Sequence, residues 1–432
     1  VAFLFQPRIG GNDPGFLFGK ENLLMESKIK IEFARRMSQL PPYLFGMINK
    51  MKMEKRWNGD DVIDLGMGNP VDPAPQPVID KLVEVAEDPK THRYPVADGM
   101  RNLRREIAKN YEQAYGVSLD ADDEVICTIG SKEGISHLCL ALIGPGDTVL
   151  VPAPAFPIHV YAAIIAGGSV LRIALEGEEA FVRRIATMCE NVYPRPKLLI
   201  LNYPHNPTSA LGSLELYKEV VALAKKYGFM VIHDFAYARI TFDGYKAPSF
   251  LQVPGARDVA VEFGSFSKSY NMAGWRLGYC VGNPEIVAGL RKIKGYYDYG
   301  IFSAIQIAGI VALRHCDEEV QQQAAVYQSR RDVMCEAMAR IGWPVEPPKA
   351  GMFVWAKIPP PFDRMGSMEF SIQMMERANV ALAPGIGFGE EGEGYVRIAL
   401  VENEHRIRQA MRQLKRAMVE IEKDDAGSRN AR

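Results

Sequence analysis

Ser265-Phe-Ser-Lys268-Ser-Tyr-Asn-Met-Ala-Gly-Trp-Arg276-Leu-Gly-Tyr279 is the stretch on which the fold turns. It follows a short apolar run, Val259–Phe263, read as a strand, and a second such run, Leu277–Val281, begins directly after Arg276. Hydroxyls, an amine and a guanidinium therefore gather where a strand gives way to a loop, and open α/β sheets bind ligands at such carboxyl ends. A lysine that forms an imine must be neutral for part of its cycle, which demands burial or a cationic neighbour. Arg276 is a candidate neighbour, and its planar fork can also grip a phosphate dianion. A lone lysine in a loop reads as surface; this combination reads as a site.

Outward from this stretch, apolar runs recur at Glu124–Thr128, Thr148–Pro152, Lys197–Asn202 and Met230–Asp234. Helical spacing separates them, at 99–115 (Leu103, Ile107, Tyr111) and Leu214–Tyr227 (Leu216, Val220, Leu223, Ala224, Tyr227). Continuous apolar strands alternating with amphipathic helices predict an α/β fold with a mostly parallel sheet buried on both faces. Past residue 310 the pattern changes to a long polar helix (Glu318–Ile341), a strand opening at Met352, a helix at Ser367–Ala378 and a strand at Tyr395–Leu400. A last helix carries Ile407, Met411, Leu414, Met418 and Ile421 on one stripe. The expected organisation is a loose leader or mis-called start at 1–24 with Met25 as the true start, and a segment 25–70 joining the smaller domain. A large domain follows at 71–310, then a smaller α+β domain at 311–423 and a frayed polar tail at 424–432.

Three further pieces sit at strand ends: Gly130-Ser131-Lys132-Glu133-Gly134, Asn202-Tyr-Pro-His-Asn206-Pro207-Thr208, and His233-Asp234-Phe-Ala-Tyr237. The first opens a helix, where free backbone N–H groups suit an anion. Taken singly, Asn-Pro is turn chemistry and Asp a helix cap. Together, in this order, they resemble the class I and II aminotransferases of fold type I, which depend on pyridoxal 5′-phosphate. The likeness runs from about Gly68 to Arg397. The blocks Gly130–Leu138, His233–Ser249 and Val253–Gly278 are similar to the bacterial alanine-forming glutamate–pyruvate aminotransferases, with LL-diaminopimelate aminotransferases the nearest alternative.

That resemblance implies a role at each matching position. Lys268 matches the Schiff-base lysine, which also shuttles the substrate proton. Asp234 matches the carboxylate that keeps the pyridine nitrogen protonated. Asn206 and Tyr237 match donors to the cofactor's phenolate oxygen, Asn206 also bordering the substrate. Ser265, Arg276 and the amides of Ser131 and Lys132 match the phosphate cup, and Phe156 the aromatic residue stacked on the ring. Arg397 matches the arginine that takes the substrate α-carboxylate, Gly68 a substrate-side backbone contact, and Tyr94 a tyrosine reaching the neighbouring subunit's phosphate in a homodimer. In Tyr395–Leu400 the alternation turns Arg397 away from Val396, Ile398 and Leu400, toward solvent or a pocket. The chain departs from many relatives at Ser209 (Gly), Phe156 (Tyr or Trp) and Asn69 (Glu or Gln). Lys132 and Asn69 are candidates for meeting a second substrate carboxylate.

Other functions find less in the chain. With 51 Lys plus Arg against 52 Asp plus Glu, the formal charge is −1 and no basic face marks a nucleic-acid binder. No apolar run approaches the roughly 18 residues of a membrane span. Cys127, Cys139, Cys189, Cys280, Cys316 and Cys335 are dispersed, which predicts buried thiols in a reducing cytoplasm and no structural metal. Gly385-Ile-Gly387-Phe-Gly389 lacks the surrounding βαβ unit of a dinucleotide loop and reads as shaping the substrate entrance. The expected reaction is transamination between L-alanine and 2-oxoglutarate; other amino-acid aminotransferases and a β-lyase on the same cofactor are the alternatives. A cofactor-sensing regulator would need a DNA-binding segment, and none is evident before Gly68.

Overall fold

Short strands and capped helices set the architecture of the computed structural model, which describes residues 31–42 and 44–430. The expected leader at 1–24, with its start at Met25, lies outside the described residues. Strand β1 (Ile63–Asp64) precedes the main sheet, built from β2 (Val125–Thr128), β3 (Thr148–Ala153), β4 (Ser169–Ala174), β5 (Pro196–Asn202), β6 (Met230–Asp234), β7 (Ala260–Ser265) and β8 (Gly278–Gly282). These seven strands lie in the order β2-β8-β7-β6-β5-β3-β4. All neighbours are parallel except β8, which runs against both β2 and β7. Ser265 ends β7 and Arg276 lies just before the reversed β8, so that reversal brings Arg276 back to the edge where the parallel strands finish.

The inner strands are mostly apolar because both faces of the sheet are covered. Leu199, Leu201, Val231 and Ala260 face one core, with Leu103, Ile107, Tyr111, Leu216 and Val220 from the helices Arg101–Tyr115 and Leu214–Tyr227. Leu198, Ile200, Ile232 and Val261 face another, with Ile135, Leu138 and Leu290. The Leu214–Tyr227 helix shows how local chemistry sets its limits. Ser213 Oγ accepts from the Leu216 N–H at its start, and Gly228 adopts φ +76° just past its end. Strand β4 was not expected: Ser169-Val-Leu-Arg-Ile-Ala is an edge strand, partly exposed, and carries Arg172 in its middle.

A third core belongs to a smaller antiparallel sheet, β11 (Ala383–Pro384), β12 (Tyr395–Ala399) and β9 (Phe353–Lys357), in that order. Strand β10 (Val380–Ala381) pairs in parallel with β1, so Ile63 and Leu65 sit in this core with Val354, Phe370, Ile398 and Leu414. The helix Asp317–Arg340 touches two of these cores, burying Val320 in the first and Tyr327, Met334 and Met338 in that of the smaller sheet. The last helix runs Glu404–Asn430, so residues 424–430, expected as a frayed tail, continue it instead.

Gly264, inside β7, abuts the Tyr279 ring so closely that an added Cβ would occupy the ring's own place. The ring also packs against Tyr111 and Phe266 (centroids 6.0 and 6.1 Å). Gly264→Ala is therefore expected to destabilise the protein by about 1–3 kcal/mol, read as a lowered denaturant midpoint. An unchanged midpoint would mean that Tyr279 can swing aside without loss.

Candidate active site

One cleft of about 750 Å³ lies at the edge where the parallel strands finish, closed on its other side by the smaller domain. It is lined by every site residue expected from sequence except Tyr94: Gly68, Ser131, Lys132, Phe156, Asn206, Asp234, Tyr237, Ser265, Lys268, Arg276 and Arg397. Asn69 lines it too. Tyr94 lies outside, 85% exposed, its ring 4.9 Å from that of Tyr299.

Lys268 stands on the short helix Phe266–Ser269, whose N-cap Ser265 accepts from the Ser267 N–H. Its Nζ donates to Gly68 O at 2.6 Å. Loss of water around the ammonium, then the Arg397 charge and then Arg276 bring its pKa down to about 8, against the opposing pull of Asp234. Arg276, a candidate cationic neighbour from sequence, does contribute, but burial and Arg397 contribute more; its guanidinium donates to Ala273 O and Ile129 O at 3.1 and 3.4 Å.

Asp234 ends β6, and its Oδ2 lies 2.9 Å from His159 Nε2. Its backbone C=O accepts from Asn202 Nδ2 at 2.8 Å, and Asn202 Oδ1 accepts from the Asn206 N–H at 2.8 Å. Asn206 Nδ2 then donates to the Tyr237 hydroxyl oxygen at 3.3 Å, and its Oδ1 accepts from Arg397 Nη1 at 2.8 Å. Burial pushes the Tyr237 hydroxyl well up, partly countered by Arg397, so it remains a donor at neutral pH. Arg397 itself is 5% exposed: of the two directions its alternation allowed, it takes the pocket. Its guanidinium lies between the rings of Phe353 and Phe388, at 4.1 and 4.7 Å, and Nη2 donates to Gly66 O at 2.9 Å.

Sequence reasoning missed His159, Asn202, Phe353 and Phe388. A signal for His159 existed: it sits three residues after Phe156, in an otherwise apolar helix Pro157–Ile165, and the two rings meet edge-on at 5.8 Å. Phe388 comes from the Gly385–Gly389 loop, where Gly385 and Gly392 back onto each other too closely for either to carry a Cβ. The loop's Phe388 O accepts from the Ala155 N–H at 2.8 Å, which brings this loop against the wall of the cleft.

The residues fit a phosphate-bearing, nitrogen-heterocyclic aldehyde. Helix Ser131–Leu142 presents its first amides uncapped by any side chain, since Gly130 is the N-cap. A Cβ on Gly278 would come within 2.7 Å of Ser131 N, and one on Gly130 would collide with Arg276, so glycine at both keeps a cradle open. Ser265 and Arg276 complete it, Phe156 offers a ring face, and the Asp234 carboxylate suits a cationic ring nitrogen.

The family model for aminotransferase class I and II matches residues 60–414. The chain is a class I and II aminotransferase. It works with pyridoxal 5′-phosphate, as this family does. This aminotransferase is 50% identical over 380 residues to the glutamate-pyruvate aminotransferase AlaC of Escherichia coli strain K12, covering 88% of this chain and 92% of that one. It is 44% identical to the LL-diaminopimelate aminotransferase of Moorella thermoacetica, covering 90% and 99%. Among solved structures it is similar to substrate-bound BacF from Bacillus subtilis (TM-score 0.84, 31% identity, 90% and 98% covered). Among the described residues of the aminotransferase, no helix is long and apolar enough to cross a membrane.

Proposed function

We propose that this aminotransferase exchanges amino groups between L-alanine and 2-oxoglutarate by a ping-pong route, with Lys268 as the point of covalent cofactor attachment. The observation that carries the chemistry is the convergence of a depressed lysine, a buried carboxylate and an arginine fork on one cleft. The choice of substrates rests on similarity to the glutamate-pyruvate enzyme, with the diaminopimelate enzymes close behind.

Each residue has a task that its surroundings support. Ser265, Arg276 and the amides of Ser131 and Lys132 hold the phosphate. Asp234, steadied by His159 and Asn202, holds a proton on the ring nitrogen; Asn206 and Tyr237 donate toward the ring oxygen. Pyridoxal phosphate, when bound, supplies an aldehyde and a ring able to take up the electron pair left at a substrate Cα. Arg397 orients the α-carboxylate, and Lys268 Nζ, its pKa lowered to about 8 by burial and the nearby arginines, takes the Cα proton. Lys132 and Asn69, both lining the cleft, are placed to meet a second carboxylate.

The working unit in this reading is a homodimer, with Tyr94 reaching the partner's phosphate. The exposed aromatic rings of Tyr94, Tyr296, Tyr297 and Tyr299 support it, as such a patch suits a covered face. Six unpaired, buried thiols support a reducing, cytoplasmic setting.

The test is spectroscopic. Purified protein should carry a visible cofactor band that bleaches with L-alanine and with L-glutamate, each added alone, and recovers with pyruvate or 2-oxoglutarate. Bleaching with LL-diaminopimelate alone would keep the chemistry and replace the substrate. Pyruvate and ammonia released from an amino acid without any keto acid would mark a lyase and end the transaminase reading.

A further inference from the structure

The turn that opens the phosphate cradle is gripped from two sides. Ile129 O accepts from Arg276 Nη2 at 3.4 Å, while the Ile129 N–H donates to Glu133 Oε2 at 2.8 Å. The turn itself is tight, with Gly130 N donating to Thr128 O at 2.7 Å and Gly130 at φ +75°. Glu133 lies on the first turn of the helix whose amides form the cradle, so it reaches back over its own helix start.

Glu133 is in turn fixed from outside that helix. Its Oε1 accepts from Lys294 Nζ at 3.0 Å, and Lys294, on the helix Pro284–Tyr297, has no exposed side-chain surface. The same ammonium donates to Asp298 Oδ2 at 3.0 Å, and Asp298 Oδ1 accepts from the Gly300 N–H at 2.7 Å. His137 lies against Glu133 from one turn further along. Glu133, His137 and Asp298 are close enough to resemble a metal-ligand set, but Lys294 already supplies the cation between the two carboxylates.

We infer that Glu133 is a positioning residue for the cofactor phosphate: locked by Lys294, it holds the Ile129–Ser131 peptides in the orientation that aims the cradle amides. The inference rests on the phosphate-cup reading above. Glu133 does not line the cleft, so it acts on the phosphate through the backbone alone. Losing it should therefore weaken what binds by its phosphate and leave the ring-binding half of the cleft as it was.

The experiment measures cofactor release from the purified holoenzyme, then the affinity of the released protein for pyridoxal phosphate and for pyridoxal, which lacks the phosphate. Glu133→Ala should lose pyridoxal phosphate affinity on the order of tenfold, while pyridoxal binding stays near the parent's. Glu133→Gln, which can still accept from the Ile129 N–H, should recover most of the loss. Equal weakening toward both ligands would mean general loosening and overturn the inference, as would no weakening toward either, or a glutamine variant no better than alanine. A parent protein that binds the two ligands alike would overturn the cup assignment itself, and with it this role for Glu133.

Discussion

Lys268→Ala is expected to leave a folded protein whose transamination rate falls on the order of 10⁴-fold or more, because in the proposed mechanism one side chain both anchors the cofactor and moves the Cα proton. Folding should survive, since the lysine is part-exposed in the cleft and its one hydrogen bond, to Gly68 O, ends on a backbone carbonyl. The parent protein adds a pH signature. Only the neutral amine attacks an aldehyde, and its pKa is brought down from the ordinary 10.5 to about 8. The rate of cofactor attachment to stripped protein should thus rise about tenfold per pH unit in acid and flatten near pH 8. A rate still climbing steadily past about pH 10 would show an ordinary, water-exposed lysine and sink the electrostatic account.

Arg397→Lys should also be damaging, though less so and by a different route. The guanidinium is buried, sandwiched by Phe353 and Phe388, and forks between Asn206 and Gly66. An ammonium keeps the charge but has neither the planar face for the two rings nor the fork for a carboxylate. Losing a buried, hydrogen-bonded charge contact of this kind costs about 2–5 kcal/mol, or roughly 30- to 5,000-fold in kcat/KM. The loss should be shared by amino-acid and keto-acid substrates, since both present an α-carboxylate. The cofactor's visible band should persist, because Arg397 does not belong to the phosphate cradle. Parent-like KM values for alanine and 2-oxoglutarate in this variant would move the carboxylate site elsewhere.

Much of the site was legible because its residues sit at predictable places on a readable sheet. Asn206, Asp234 and Lys268 each follow an apolar run within a few residues, and parallel strands buried on both faces make such runs continuous. For Arg397 alternation gave only a direction off the apolar face, toward solvent or a pocket, and the resemblance supplied its role. What stayed hidden depends on pairings between distant segments. Phe353 and Phe388 meet Arg397 only once β9, β12 and the glycine loop have packed together, and neither phenylalanine differs in pattern from ordinary core. His159 reads as a histidine in an apolar helix until β6 brings Asp234 beneath it. Strand β4 escaped notice because an edge strand with a charged middle shows no continuous run. Tyr94 has its proposed role only in a pair of chains, and nothing local in Arg93-Tyr94-Pro95 distinguishes it from a surface tyrosine.

The segment Gly66–Gly68 has one further consequence. Its two glycine carbonyls already occupy the cations on which a substrate would act, Gly66 O on Arg397 and Gly68 O on Lys268. In the working enzyme Lys268 is taken by the cofactor in the proposed reading, so a visiting carboxylate at Arg397 trades places with Gly66 O, and part of the contact it gains is offset by the one surrendered. The net gain at Arg397 is therefore smaller than the strength of the new contact alone, which favours exchange over retention. That arrangement suits a catalyst working on abundant metabolites, for which quick turnover counts for more than tight retention.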